Sequence, residues 1–279
     1  MKLRQLLSAY YQELDKAFHL YWMEGLFDYG EETAHRIRVN LKRQFAFFHL
    51  LHGLDQTFSA EKAIGTFTAL YKKAGKVRNK QVESQLLLNI ERQLHLVFEL
   101  SGHLGAKADW QGKILQEWER SHSPETIKEL AKQVLRCIHQ LPEDGIEHRM
   151  RSYFVNLIRA IGGFPNSPEE ADEALHDLRK FIKELFYNLE IIKRMMPDKM
   201  LHAHALTQLD DFQHLLGDWH DRDFSIHHLK RIKTSVNKEL LARLIAEKEA
   251  MEGTIRKRLP MLAPSLLPLE RQLEELLTV

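Results

Sequence analysis

The segment that decides the fold is Ala34-His35-Arg36-Ile37-Arg38-Val39-Asn40-Leu41-Lys42, in which apolar and basic residues each recur at three- and four-residue spacing. Residues spaced in this way share one face of an α-helix. His35, Arg38 and Lys42 therefore fall on a single stripe. The segment predicts a helix with one cationic face.

The same pattern recurs in the second half of the chain, at His176, Arg179 and Lys183. In each half an apolar helical segment and a glycine motif follow the basic helix. These motifs are Gly75-Lys76-Val77-Arg78-Asn79 and Gly217-Asp218-Trp219-His220-Asp221. Two elements in the same order, at nearly matching offsets, indicate an internal duplication.

The boundary between the halves is predicted at Leu141-Pro142-Glu143-Asp144-Gly145, which combines two helix breakers with acidic residues. Residues 1–141 and 142–279 would then form an N-terminal and a C-terminal helical half. In the second half, Pro260, Pro264 and Pro268 predict an irregular apolar tail from about Leu259 onward.

Composition favours an all-α fold, because 13 Gly and 8 Pro in 279 residues leave little turn chemistry for a protein of many strands. Apolar residues recur at helical spacing along nearly the whole chain. Glycines are the natural ends of these segments. One helix is predicted to end at Gly75 and another at Leu216, just before Gly217.

A net charge of +1 excludes a strong whole-molecule field, so any anion site must arise from local segregation of charge. The single cysteine, Cys137, cannot form an intrachain disulfide, which suits a reducing compartment. The N-terminal residues lack the apolar stretch of a signal peptide, and no uncharged run is long enough to span a bilayer. We expect a cytoplasmic protein without a membrane partner.

A stripe of cations is unfavourable on a solvated helix, where charges of both signs normally mix. A solvated basic face remains the alternative for either helix alone. Two such stripes in a duplicated chain favour a shared anionic ligand.

These motifs, together with Leu175-His176-Asp177-Leu178-Arg179-Lys180 and Tyr187-Asn188-Leu189-Glu190, resemble the CHAD domains, the conserved-histidine α-helical domains. The resemblance spans about residues 3 to 257. It implies two four-helix bundles related by pseudo-twofold symmetry, with a basic central cleft that binds inorganic polyphosphate. It also implies association with polyphosphate granules. Because the sequence lacks a phosphate loop and converging carboxylates, we expect neither catalysis nor a cofactor. The implied polyphosphate-binding residues are His35, Arg38, Lys42, Arg43, Arg78, His176, Arg179, Lys180, Lys183, Tyr187 and His220.

The second half departs from the family pattern at Glu184 and Phe186, where further basic residues are usual, and the first glycine motif reads Arg78-Asn79 rather than Arg-Asp. These departures predict a second half that is less cationic than in the family.

Two other functions use the same residues. Histidines such as His202, His204, His214, His220, His227 and His228 could bind a metal, although His202 and His204 lie about 200° apart on a helix. A metal-dependent phosphohydrolase would need converging carboxylates or a Gly-rich phosphate loop, and Asp218, Asp221 and Asp223 are interpreted as a helix-entry feature instead. Nucleic acid is not expected, because the aromatic residues lie within apolar helical repeats rather than along a basic groove.

Overall fold

The computed structural model describes residues 3–27, 31–94, 124–164, 171–195, 201–231 and 238–277. Secondary structure in these ranges is entirely α-helical, which confirms the predicted fold class. The helices are α1 Leu3–Phe27, α2 Glu31–Leu54, α3 Ala60–Leu94, α4 Pro124–Gln140, α5 Ile146–Gly162, α6 Ala171–Met195, α7 Ala203–Arg231 and α8 Lys238–Leu276. A further helix expected at residues 110–119 lies outside the described residues.

Helices α2 and α6, which carry the two basic stripes, pack against each other at the centre of the fold. Around them, α1 contacts α6, α2 contacts α5, and α3 contacts α7. In the second half, α5, α6, α7 and α8 form a closed ring of neighbours. Both stripes are therefore brought to one interhelical region.

One apolar core joins the two halves of the described chain. Ile37 and Leu41 of α2 and Leu178 and Ile182 of α6 are fully buried in it. Each lies on the same helix as the basic stripe, about one quarter to one half turn away from it. Burial of the apolar face thus fixes the direction in which the basic face points.

The predicted helix ends at Gly75 and Leu216 are wrong, because α3 continues to Leu94 and α7 continues to Arg231. An interior glycine costs a helix only about 1 kcal/mol relative to alanine. The residues that follow, Val77 and Trp219, are buried and continue the apolar faces of these helices. Their packing outweighs the local preference of glycine.

The predicted irregular tail is also wrong, because α8 runs through Pro260, Pro264 and Pro268. The four-residue spacing places these prolines along one side of the helix, and the first two are exposed. The other side buries Leu259, Leu262, Leu266, Leu269, Leu273 and Leu277. Each buried leucine contributes about 1.5–3 kcal/mol, which together offset the cost of about 3 kcal/mol per proline.

Helix α8 lies closely against α5, where a β-carbon on Gly162 would come within 2.9 Å of the Ala263 side chain. Next to this contact, Arg159 Nη2 lies 2.9 Å from Glu270 Oε1. The C-terminal segment therefore belongs to the core of the second half.

Two substitutions in this segment test its burial. Leu266→Ala should lower the free energy of unfolding by about 2–5 kcal/mol, because the side chain is fully buried and its removal leaves a cavity. Leu267→Ala should change it by less than about 1 kcal/mol, since Leu267 is 46% exposed. Urea unfolding of both variants measures the difference, and equal effects would contradict the packed helix.

Candidate anion-binding site

The two basic stripes meet where α2 packs against α6. Burial, and after it the nearby cations Lys183, Arg38 and Arg179, together lower the pKa of Lys42 to about 6. Two of these neighbours come from the other half of the chain. The side chains of Lys42 and Lys183 also act on each other, and their interaction lowers the pKa of Lys42 and raises that of Lys183.

Lys183 and Arg179 experience the same environment from the side of α6. Burial, together with Arg179 and Arg38, lowers the pKa of Lys183 to about 8. The pKa of Arg179 is also lowered, mainly by burial. We call Arg38, Lys42, Arg179 and Lys183 the four-cation cluster.

Asp221 of α7 is the carboxylate that acts on this cluster. It favours the charged forms of Arg179 and Lys183, while burial raises its own pKa. Asp221 lies in the interior of α7, so its interpretation as a helix-entry feature is wrong. One carboxylate beside four basic side chains leaves a marked excess of positive charge among the described residues.

Arg38 is held by α3. Its Nη1 donates a hydrogen bond to the Tyr71 carbonyl oxygen at 3.3 Å. Its Cζ lies 4.4 Å from the centroid of the Tyr71 ring, in a cation–π arrangement. Tyr71 was absent from the sequence-predicted site.

Three histidines border the cluster. Burial, with Arg179 next in effect, lowers the pKa of His220 to about 3. The His220 ring centroid lies 4.9 Å from that of His176. The pKa of His35 is lowered by burial and by Arg78, Lys42 and Arg38.

His176 lies between this cluster and an acidic group. Its Nε2 is 3.7 Å from Asp223 Oδ2, and its ring centroid is 4.9 Å from that of Trp219. Burial nevertheless lowers its pKa, because it outweighs the opposite effect of Asp223. Lys248 Nζ in turn lies 3.0 Å from Asp223 Oδ1.

Tyr187 and Arg43 extend the cationic region along α2 and α6. Burial raises the pKa of Tyr187, whereas Arg43, Arg179 and Arg38 oppose this effect. Arg43 also lines a cavity of about 240 Å³ beside Tyr10, His35 and Arg194. The cavity lies between α1, α2 and α6, and Glu13 and Glu190 also line it.

Lys180 does not act on the four-cation cluster directly, although it contributes to lowering the pKa of His176. It is 75% exposed, and its Nζ is 2.7 Å from Asp177 Oδ1 on the same helix. Of the sequence-predicted residues, His35, Arg38, Lys42, Arg43, Arg78, His176, Arg179, Lys183, Tyr187 and His220 are connected by the electrostatic contacts above.

Glu184 faces away from the cluster and toward α5. It accepts a hydrogen bond from the Tyr153 hydroxyl at 2.6 Å, and its other oxygen lies 2.7 Å from His49 Nδ1. Asn188 donates hydrogen bonds to the Tyr153 oxygen at 2.8 Å and to the Ala46 carbonyl at 2.9 Å. This network joins α2, α5 and α6, and it gives Glu184 partners of its own.

Two buried nitrogen atoms at the cluster, Arg179 Nε and His220 Nδ1, have no hydrogen-bond partner within the described part of the chain. Buried polar atoms are normally paired, and leaving one unpaired costs about 1–3 kcal/mol. Together with the excess positive charge, they make the site complementary to an anion with several oxygen atoms.

The histidines considered as metal ligands are dispersed. His228 Nδ1 lies 2.8 Å from Glu83 Oε1, and His227 is paired with Asp223 on the same helix. Over the described ranges, no group of three or more His, Cys, Asp or Glu side chains is arranged to hold a metal ion. Among the same residues, no helix has an apolar stretch long enough to cross a bilayer.

The pKa of Lys42 predicts how stability depends on pH. Between about pH 6 and pH 10 Lys42 is protonated in the unfolded chain but not in the folded protein, so its contribution to the free energy of unfolding should rise with pH. Lys42→Met removes this contribution, and the variant should be more stable than the wild type near pH 7 and less pH-dependent.

Lys132→Met is the matched control, because Lys132 is 63% exposed and its replacement should leave the pH dependence unchanged. Urea unfolding across this pH interval provides the measurement. A Lys42→Met variant with the pH dependence of the wild type would contradict the lowered pKa.

Three comparisons relate the chain to known proteins. A family model described as the CHAD domain matches residues 5–230. A crystal structure of the CHAD domain from the plant Ricinus communis matches with a TM-score of 0.65 and 15% sequence identity, covering 99% of this chain and 92% of that chain. No curated protein sequence matches the chain. The family match covers most of the residues that form the helices and the cluster, so the chain belongs to the CHAD domain family.

Proposed function

We propose that the protein binds inorganic polyphosphate at the four-cation cluster and does not catalyse its conversion. The observation that carries this proposal is the burial of Lys42 among Arg38, Arg179 and Lys183, which come from both halves of the chain. Buried like charges are unfavourable unless an anion compensates them.

Polyphosphate matches the chemistry of the cluster. It carries about one negative charge per phosphate and offers oxygen atoms without bases or sugars, so charge and N–H donors must provide its recognition. Arginine can bind one phosphate through two parallel hydrogen bonds, while lysine acts as a point charge on the next phosphate. Cations one helical turn apart lie about 5–6 Å from each other, which is comparable with the repeat of an extended phosphate chain.

The absence of catalysis belongs to the same proposal. Metal-assisted phosphoryl transfer usually needs carboxylates that converge on a metal ion. Asp223 instead contacts Lys248, and Asp221 is compensated by Arg179 and Lys183. Incubation of polyphosphate with the protein and Mg²⁺ or Mn²⁺ should release no phosphate, and release that requires the folded protein would refute this part of the proposal.

We also propose that the two halves are four-helix bundles derived from a duplication. The repeated sequence pattern pairs α2 with α6 and α3 with α7, and both of these pairs are in contact. The contacts of α1 with α6 and of α5 with α2 correspond under the same exchange. A pseudo-twofold axis between α2 and α6 accounts for all four contacts.

The proposed partner implies a cytoplasmic protein that associates with polyphosphate granules rather than with membranes or nucleic acid. Trp22 and Trp219 are buried, which favours a role in packing rather than in stacking on bases. Polyphosphate binding should persist in excess DNA. A fluorescent fusion should colocalise with granules, and the Arg38→Met, Arg179→Met double variant should remain diffuse.

Replacing Arg38 and Arg179 together tests the site directly. Each charge-assisted contact is worth about 1.5–3 kcal/mol, so the double variant Arg38→Met, Arg179→Met should bind long-chain polyphosphate more weakly by several kcal/mol. The dependence of affinity on salt should also become shallower, because fewer counterions are released. Isothermal titration calorimetry at two salt concentrations provides both values.

Arg136→Met is the control for this pair, because Arg136 is 63% exposed and lies on α4 with a Glu129 partner. It should retain the wild-type affinity. If the double variant also retains it while remaining folded, the cluster is not the binding site.

Affinity should also depend on pH. His35, His176 and His220 have lowered pKa values in the free protein, as does Lys42. A polyanion favours their charged forms and raises these pKa values, so binding takes up protons. Polyphosphate affinity should therefore increase as pH falls from about 8 to 6, whereas affinity for a metal ion would decrease.

The double variant His35→Gln, His176→Gln should weaken this dependence on pH. His214→Gln is the control, since His214 is 75% exposed and contacts Asp210 on its own helix. Calorimetry at both pH values measures the effect. An equal pH dependence in all three proteins would remove the two histidines from the site.

A further inference from the structure

We propose that Gly75 and Tyr71 of α3 form a slot that positions the guanidinium group of Arg38 for contact with phosphate. The inference extends the proposed polyphosphate site by assigning a role to two residues that do not themselves need to touch the ligand. Gly75 is a positioning residue in this scheme, and Arg38 is the residue that binds.

The geometry of the slot follows from the helix itself. Residues 71 and 75 are one helical turn apart, so the Tyr71 carbonyl points along the helix toward Gly75. Arg38 Nη1 donates to this carbonyl at 3.3 Å. The guanidinium therefore lies over the backbone of Gly75, with the Tyr71 ring 4.4 Å from Cζ.

A side chain at position 75 would occupy the same space. A β-carbon built on Gly75 would overlap Arg38 Nη1 and would lie 3.2 Å from Arg38 Cζ. The group that must move is the end of a flexible side chain rather than backbone. An alanine at this position should therefore displace the guanidinium without disrupting the fold.

Backbone conformation gives no other reason for glycine here. Gly75 lies in the interior of α3, and Gly145 is the residue with a positive φ among the described glycines. Glycine in a helix interior is unfavourable relative to alanine. The glycine at position 75 is thus unfavourable for the helix, but it leaves room for a side chain of the proposed binding site.

The other half of the chain provides a natural comparison. Gly217 occupies the corresponding place in α7, and a β-carbon there would meet no atom within 4 Å. Both glycines lie within helices, so alanine should improve the helix equally at either position. Only position 75 has a guanidinium in the space that the methyl group would fill.

The slot also holds Arg38 near other basic side chains that repel it. Lys42, Arg179 and Lys183 repel Arg38, and a flexible arginine could relieve this repulsion by extending into solvent. The carbonyl oxygen and the electron-rich ring face of Tyr71 attract the guanidinium back toward the cluster. Arg38 is thereby oriented before a ligand arrives, which reduces the entropy lost on binding.

The experiment compares Gly75→Ala with Gly217→Ala in the full chain. Gly75→Ala should weaken binding of long-chain polyphosphate by about tenfold or more, as expected for the loss of one charge-assisted contact, and should leave the melting temperature unchanged or higher. Gly217→Ala should retain the wild-type affinity. Equal affinities of the two alanine variants would overturn the proposal.

A double-mutant cycle with Arg38→Met separates the slot from the proposed function. Once Arg38 is replaced, Gly75→Ala should cause no further loss of affinity. Without ligand, Gly75→Ala should raise the melting temperature more in the Arg38→Met background than in the wild type, because the overlap with the guanidinium is gone.

The melting temperatures measured without ligand still test the slot if the wild type fails to bind polyphosphate. If the Gly75→Ala and Arg38→Met substitutions then have non-additive effects on the melting temperature, the slot is supported although the proposed function is refuted. Additive effects would overturn the slot itself.

Tyr71→Leu provides a second variant, which adds no atom at position 75. It should weaken binding less than Gly75→Ala, and an affinity equal to that of the wild type would remove the Tyr71 ring from the slot.

Discussion

The burial of like charges where α2 meets α6 is the constraint on which the rest of the structure depends. A positive charge on Lys42 is opposed by Lys183 and Arg179 on the facing helix, so the two helices must be held together by other contacts. The fully buried faces containing Ile37 and Leu178 supply these contacts. Asn188 adds a hydrogen bond from α6 to the Ala46 carbonyl of α2 at 2.9 Å. The apolar core and this hydrogen bond thus hold α2 against α6 despite the repulsion between the basic side chains.

This arrangement couples the protonation state of the site to the anion binding proposed for it. With no anion bound, burial and mutual repulsion favour neutral forms of Lys42 and His220, whose pKa values fall to about 6 and about 3. An anion reverses this balance because it stabilises each added proton. The cluster is therefore less cationic when empty and most cationic when an anion occupies it, so positive charge develops where the ligand compensates it.

The helices and the cationic stripes could be predicted from the sequence, since both depend on the spacing of residues along the chain. It failed at Gly75 and at Pro260, where local preferences predicted breaks but long-range packing continued the helices. It also missed Tyr71, because the contact with Arg38 joins α3 to α2 and has no signal in either segment alone. Asp221 was visible as part of an acidic group, but its effect on Arg179 depends on the approach of α7 to α6.

The two halves use the same spacing of basic residues in different ways. In the first half, Arg38 is held by a carbonyl and an aromatic face, neither of which reduces its charge. In the second half, Asp221 partly compensates Arg179, and Asp223 lies beside His176. Arg38 therefore lacks the carboxylate compensation that Arg179 receives. The departures that predict a less cationic second half lie at Glu184 and Phe186, whereas the acidic side chains that reduce its charge lie on α7. An anion that spans the cluster would meet an arginine held by a carbonyl and an aromatic ring on one side, and an arginine partly compensated by Asp221 on the other.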